Sequence, residues 1–129
     1  MDFCIRRVAE ERLIFSKLVL TPKKIRACFF NLLNKLTAFL GIHDIYLSNF
    51  DPYPDDEDKE IMSMSLSCDI AEIYEDIKTN LNVWKYGNIY DKQEMIYQFK
   101  WDWQNHTGDH WTFAVRAIHW KLHDLKYED

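Results

Sequence analysis

Two histidines four residues apart, His106 and His110, have the spacing from which chemistry could be built in this 129-residue chain. Positions i and i+4 share one face of a helix, so both imidazoles can address one metal ion or exchange one proton. A carboxylate beside them would fix each ring's tautomer and raise its pKa, or would serve in a metal's inner or outer shell. Asp69 and Glu72 are the candidates. They sit on a preceding helix that a short turn folds back antiparallel, level with His106 and His110. The cluster Asp69, Glu72, His106 and His110 is therefore a candidate site for zinc or iron, with His43 available as a third imidazole. The competing explanation is structural: two histidines on an apolar stripe, their nitrogens satisfied by Asp69 or Tyr74.

Several established chemistries are excluded by spacing. A zinc protease of the His-Glu-x-x-His type needs glutamate where Thr107 stands. A di-iron carboxylate bundle needs Glu three residues before His, and no histidine here has it. There is no glycine-rich phosphate loop, no Cys–His nucleophile pair and no serine elbow. No catalytic residues are assigned, and a non-enzymatic role is the expectation.

These residues need a frame. Tyr97–His123 holds four of the five Trp and four of the five His. On a uniform helical wheel Met95, Phe99, Trp103, His106, His110, Phe113, Ala114, Ala117 and Ile118 form one core-facing arc. Asp102, Asn105, Asp109 and Arg116 fall opposite. His119 and His123 point away from the first pair, which rules out a four-histidine centre on one straight helix. Thr21-Pro22 is a helix start, a capping hydroxyl followed by proline at the first helical position, and Gly41 is a stop. The pattern predicts helices over about 3–19, 22–40, 61–86 and 91–126. It also predicts an acidic loop over 51–60, where six acids and two prolines stand against one lysine. That loop lacks the alternating oxygen ligands and glycine of a calcium-binding hand. The expected fold is all-α, a single domain over 1–129 built as a four-helix, mostly up-and-down antiparallel bundle.

Composition narrows the class. A net charge of −5 conceals a basic first forty residues, with eight Lys or Arg against three acids. Spread over two amphipathic helices, these charges make solvated faces rather than the dense stripe that nucleic acid requires. No 18-residue apolar run is present, so no membrane span is expected. Three widely spaced cysteines, Cys4, Cys28 and Cys68, read as reduced thiols in a cytoplasmic protein.

The stretches SLSCDIAEIYEDIKTNLNVW and FKWDWQNHTGDHWTFAVRAIH resemble an uncharacterised family of small bacterial helical proteins. Its members carry an Asp-Leu-Ala-Asp-Ile-Tyr-x-Asp-Leu-like segment. A His-x-Gly-x-His segment follows, running into Ala-x-Arg-Ala-x-His. The likeness covers about Ser65 to His119 and departs at Glu72 and Thr107. It implies no activity or cofactor, but it directs attention to Asp69, Glu72, Tyr74, Asp76, His106, Gly108, His110, Arg116 and His119.

Together these features describe a binding or interaction module with a protein partner, or a homodimer. Its candidate contact residues are Trp101, Arg116, His119 and Trp120, since aromatic and arginine side chains anchor interfaces. The alternative is a metal- or small-ligand-binding bundle using Asp69, Glu72, Tyr74, Asp76, His106 and His110. No cofactor is required by the first reading.

Overall fold

The computed structural model describes residues 21–49 and 61–126. The predicted helix over 3–19 and the acidic loop over 51–60 lie outside the described residues. Thr21 is extended and its Oγ1 accepts the Lys24 N–H at 3.3 Å, so that α1 (Pro22–Leu40) begins on a capped proline turn. It ends at Gly41, whose φ of +52° is a left-handed conformation that favours glycine. A single 3₁₀ turn, Gly41–His43, leads into an antiparallel hairpin of β1 (Ile45–Asn49) and β2 (Ile61–Ser65). The register pairs Ile45 with Ser65 and Asn49 with Ile61. Then come α2 (Leu66–Tyr86), α3 (Ile89–Asp102), a π-helical turn (Trp103–Thr107) and α4 (Gly108–Asp124). Backbone angles stay helical from α3 through α4, so these three segments make one long rod.

The four-helix bundle is thus corrected. The described residues form three helical rods and a two-stranded sheet. The third predicted helix does not begin at Ile61. Ile61–Ser65 is strand, and Ser65, extended and accepting the Cys68 N–H on its Oγ at 3.2 Å, starts α2. One buried carboxylate enforces that change of direction. Asp44 Oδ1 accepts the Ser67 N–H at 2.6 Å, and Oδ2 accepts the Ser65 and Ser67 hydroxyls, both at 2.9 Å. Its carbonyl accepts the Leu66 N–H at 2.8 Å. Orphan donors at the helix start are met by a side chain from the preceding strand's entry, which a helix running through Ile61 could not supply. At the other end, Gly87 and an Asn88–Asp91 capping box turn α2 back into α3, three residues before the expected Asp91 cap.

By length and hydropathy alone, Pro22–His43 also passes for a membrane span. It bonds sideways to α2: Arg26 pairs with Glu75 at 2.8 Å, and Thr37 Oγ1 lies 3.0 Å from Ser67 Oγ. Among the described residues, Leu66, Ala114 and Ala117 form one buried apolar cluster, with Leu40, Tyr46, Ile70 and Ile73 packed around them, and Ile25, Phe29, Ala71 and Val83 are buried as well.

The π turn explains where the uniform wheel fails. The Gly108 N–H donates to the Trp103 carbonyl, a bond that spans one residue more than an α-helix allows. Beyond the turn Thr107, His110, Ala114 and Ala117 face inward, as a 3.6 period requires. Before it Met95 keeps its expected half-buried place, while Gln98 and Asp102 take the places expected of Phe99 and Trp103, one residue back. Phe99 and Trp103, assigned to the core by an unbroken wheel, are 40% and 48% exposed, and Ile118 also faces outward. A Cβ on Gly108 would stand 2.3 Å from the Trp103 carbonyl oxygen. Gly108→Ala is therefore expected to expel the π turn and to destabilise the fold by about 1–3 kcal/mol, with a changed near-UV signal from Trp103 and Trp111. A variant with wild-type stability and spectrum would show that the turn is not held by this contact.

Candidate functional site

The inner face of α2 is acidic. Asp69 (2% exposed), Glu72 (7%) and Glu75 are buried there, with Asp76 half-buried one turn on. Charged groups enter a protein interior at a cost that partners offset, and here the partners come from α1, β1, the π turn and α4. From α4, His110 Nδ1 meets Asp69 Oδ1 at 2.8 Å. From β1, the Tyr46 hydroxyl donates to Asp69 Oδ2. The π turn brings in Thr107, 1% exposed, which donates to Asp76 Oδ2, and His106, whose Nδ1 lies 3.7 Å from the same oxygen. From α1, Arg26 binds Glu75.

The two imidazoles close the arrangement. His106 Nε2 and His110 Nε2 are 3.3 Å apart, with ring planes steeply inclined at 75°. A carboxylate oxygen accepts, so the contact with Asp69 favours the His110 tautomer with its proton on Nδ1, and in the neutral ring that leaves the lone pair on Nε2. His106 is arranged in the same sense, with Nδ1 toward Asp76 and Nε2 toward its neighbour. Each ring is thus backed by an aspartate and aimed at the same point.

The electrostatics follow from this geometry. Interaction with the Asp76 carboxylate raises the His106 pKa, with burial opposing. Burial pushes Glu72 up to about 7, against the attraction of His110 and His106 and with help from Glu75 and Asp76. Glu75 is also raised, by burial first, with the Arg26 guanidinium opposing. Tyr46 is raised by burial and by its bond to Asp69, and remains a phenol. Glu72 stands apart in one respect: it makes no hydrogen bond or ion pair among the described residues, although it lies between the two Asp–His pairs in sequence.

The expected cluster of Asp69, Glu72, Asp76, His106 and His110 is therefore brought together. Tyr74 is half-buried and forms no hydrogen bond to it, the phenol in contact being Tyr46. His43 lies exposed in the 3₁₀ turn. The contact candidates Trp101 (45% exposed), Arg116, His119 and Trp120 (53%) all face outward. Trp120 sits edge-on between His119 and His123, with centroids 5.8 and 5.6 Å away. Arg116 and Trp120 line one cleft beside β1, and Trp101 is not part of it. Tyr46, Glu75, Arg26 and Thr107 were not anticipated. The one sequence signal for them is Gly108 within a helical pattern, which marks the turn that carries Thr107 inward.

The fold and the site define a mostly helical protein with a buried His–carboxylate cluster between two antiparallel rods. The chain belongs to the family described as a domain of unknown function (DUF5063), whose model matches residues 17–124. No curated protein and no solved structure matches it.

Glu72 carries a pH prediction with a definite sign. A carboxyl whose folded pKa lies above its unfolded value of 4.5 stabilises the fold below that value, and the contribution disappears as pH rises through about 7. Glu72→Gln, measured in the presence of a chelator, is expected to raise the melting temperature at pH 8 and to leave it little changed at pH 4.5. An equal effect at both values would mean that Glu72 is not perturbed.

Proposed function

We propose that this protein binds a divalent transition metal, zinc or iron(II), on His106 and His110, with Glu72 as the third side-chain ligand. The observation that carries the reading is the convergence of two aspartate-backed Nε2 atoms at 3.3 Å. Two nitrogens held 2.0–2.1 Å from a tetrahedral ion are about 3.3 Å apart. The backing carboxylates match the outer-shell arrangement that orients metal-binding histidines and raises their basicity. Among the described residues no three His, Cys, Asp or Glu side chains already form a closed cage. The reading takes the third ligand from Glu72, a buried carboxylate that interacts electrostatically with both imidazoles and has no hydrogen bond among the described residues to surrender. Two histidines and one carboxylate leave further coordination positions for water or a small ligand, a pattern suited to zinc or non-haem iron.

Elemental analysis of untagged protein, followed by titration with zinc, iron(II) or cobalt(II), tests the reading directly. One equivalent per chain is expected, with cobalt giving the intense visible bands of a low-coordinate site. The double variant His106→Ala/His110→Ala is expected to lose the metal. Asp69→Asn is expected to keep the site but weaken it roughly 10- to 100-fold. Protein that carries no metal and gives no spectral or calorimetric response to any of the three ions would overturn the proposal.

A further inference from the structure

On the opposite side of β1 from its partner strand lies a cleft of about 270 Å³ against the second half of α4. Its walls are Ile45, Tyr46, Leu47 and Ser48 on one side, and Phe113, Arg116, Ala117, Trp120, Lys121 and Asp124 on the other. Side chains alternate between the faces of a strand, so four consecutive residues lining one space mean that it opens on the strand's edge.

Among the described residues, that edge has no strand beside it, and its one hydrogen bond to a side chain is from Ser48 Oγ to the Asn49 carbonyl. The Leu66 N–H to Asp44 carbonyl bond fixes which residues of β1 point their main-chain groups at β2. With the observed register, Asp44, Tyr46 and Ser48 do so, while Ile45, Leu47 and Asn49 turn their N–H and C=O groups outward. Among the described residues no backbone partner takes them up. Ile45 and Leu47 also expose apolar side chains. Such an edge is a template for another strand, and proteins that leave one open and apolar either blunt it or use it.

The far wall sets the sign of the occupant. Arg116 and Lys121 lie on the cleft side of α4, one turn and a half apart, and Arg116 makes no ion pair or hydrogen bond among the described residues. Asp124 sits beyond Lys121 at the end of the row, so the positive charge is concentrated at the Arg116 end. A second copy adding its own β1 would bring the same basic rim to the cleft. We propose that this cleft binds an extended, acidic segment of a partner protein, which adds a strand to β1 and places carboxylates against Arg116 and Lys121. Trp120 and Phe113 supply apolar walls for the alternate side chains. This inference is independent of the histidine cluster and stands if no metal binds.

The probe is a fluorescein-labelled peptide with the repeat Val-Glu, six residues long, titrated by anisotropy into the full chain at low salt. Saturable binding is expected, with at least ~10-fold loss for the Val-Lys repeat and for Arg116→Glu/Lys121→Glu. A Val-Glu peptide N-methylated at every second residue, which keeps its charge but cannot complete the ladder, is also expected to lose at least ~10-fold. Equal binding of the N-methylated peptide would overturn strand addition and leave an anion-binding cleft. Absence of binding would overturn the proposal, as would sedimentation showing a dimer that Leu47→Lys dissociates.

Discussion

Three carboxylates on the inward face of α2 are bonded to partners on other elements, and that requirement organises the structure. Asp69 spends one oxygen on His110 and the other on Tyr46, Asp76 takes Thr107, and Glu75 takes Arg26. Each bond reaches a different element, so α2 is the post to which α1, the hairpin and the π turn are tied. Among the described residues the cluster of Leu66, Ala114 and Ala117 supplies apolar packing, and the polar bonds add a direction that such contacts do not. Removing one partner from a buried charged pair costs about 3–5 kcal/mol, because the other charge is left stranded. The polar network therefore acts more as a constraint on geometry than as a source of stability. Apolar packing in place of such a set is often as stable, but only directional bonds fix where the two imidazoles point.

The π turn is the device that meets this constraint. Without the inserted residue, the stripe that carries His110, Ala114 and Ala117 would bring Trp103 and Phe99 against α2. With it, Thr107 and His106 turn toward Asp76, and the two large rings are released to the surface, where Trp103 meets Trp111 at a centroid distance of 6.5 Å. π turns cost hydrogen-bond geometry and are kept mostly where a site needs a side chain displaced by one position. Gly108 makes room for it, since the carbonyl of Trp103 occupies the space a Cβ would need.

How much of this was legible follows from the range of each signal. Local signals were clear: Thr21-Pro22 starts α1 where its cap and proline place it, and Gly41 ends it. The hairpin geometry that sets Asp69 level with His110 rests on a short turn and counting, and it holds because Gly87-Asn88 leaves no slack. The failures share a cause, which is interaction over distance. Ile61–Ser65 carries apolar residues that suit either a helix or a strand, and Asp44, seventeen residues earlier in the chain than Ile61, decides the matter by capping α2 at Ser65. Arg26 looked like a solvated charge because nothing in its neighbours announces Glu75. Tyr46 was hidden in a stretch with no helical period, and Tyr74 was favoured in its place because it lies on the same helix as Asp69.

The two Asp–His pairs resemble each other in plan and differ in depth, and the difference gives the site a direction. The His110 and Asp69 side chains are 14% and 2% exposed, while those of His106 and Asp76 are 37% and 24%. Asp69 is bonded on both oxygens, to His110 and to Tyr46, which ties the deeper pair to the hairpin as well as to α4. His106 stands 3.7 Å from its aspartate rather than 2.8 Å and is the more exposed of the two rings. The paired Nε2 atoms therefore have a buried side, closed by Asp69 and Tyr46, and a more exposed side at His106. The buried half of the cluster is thus the half tied to the sheet, and the more exposed half is the one carried by the π turn.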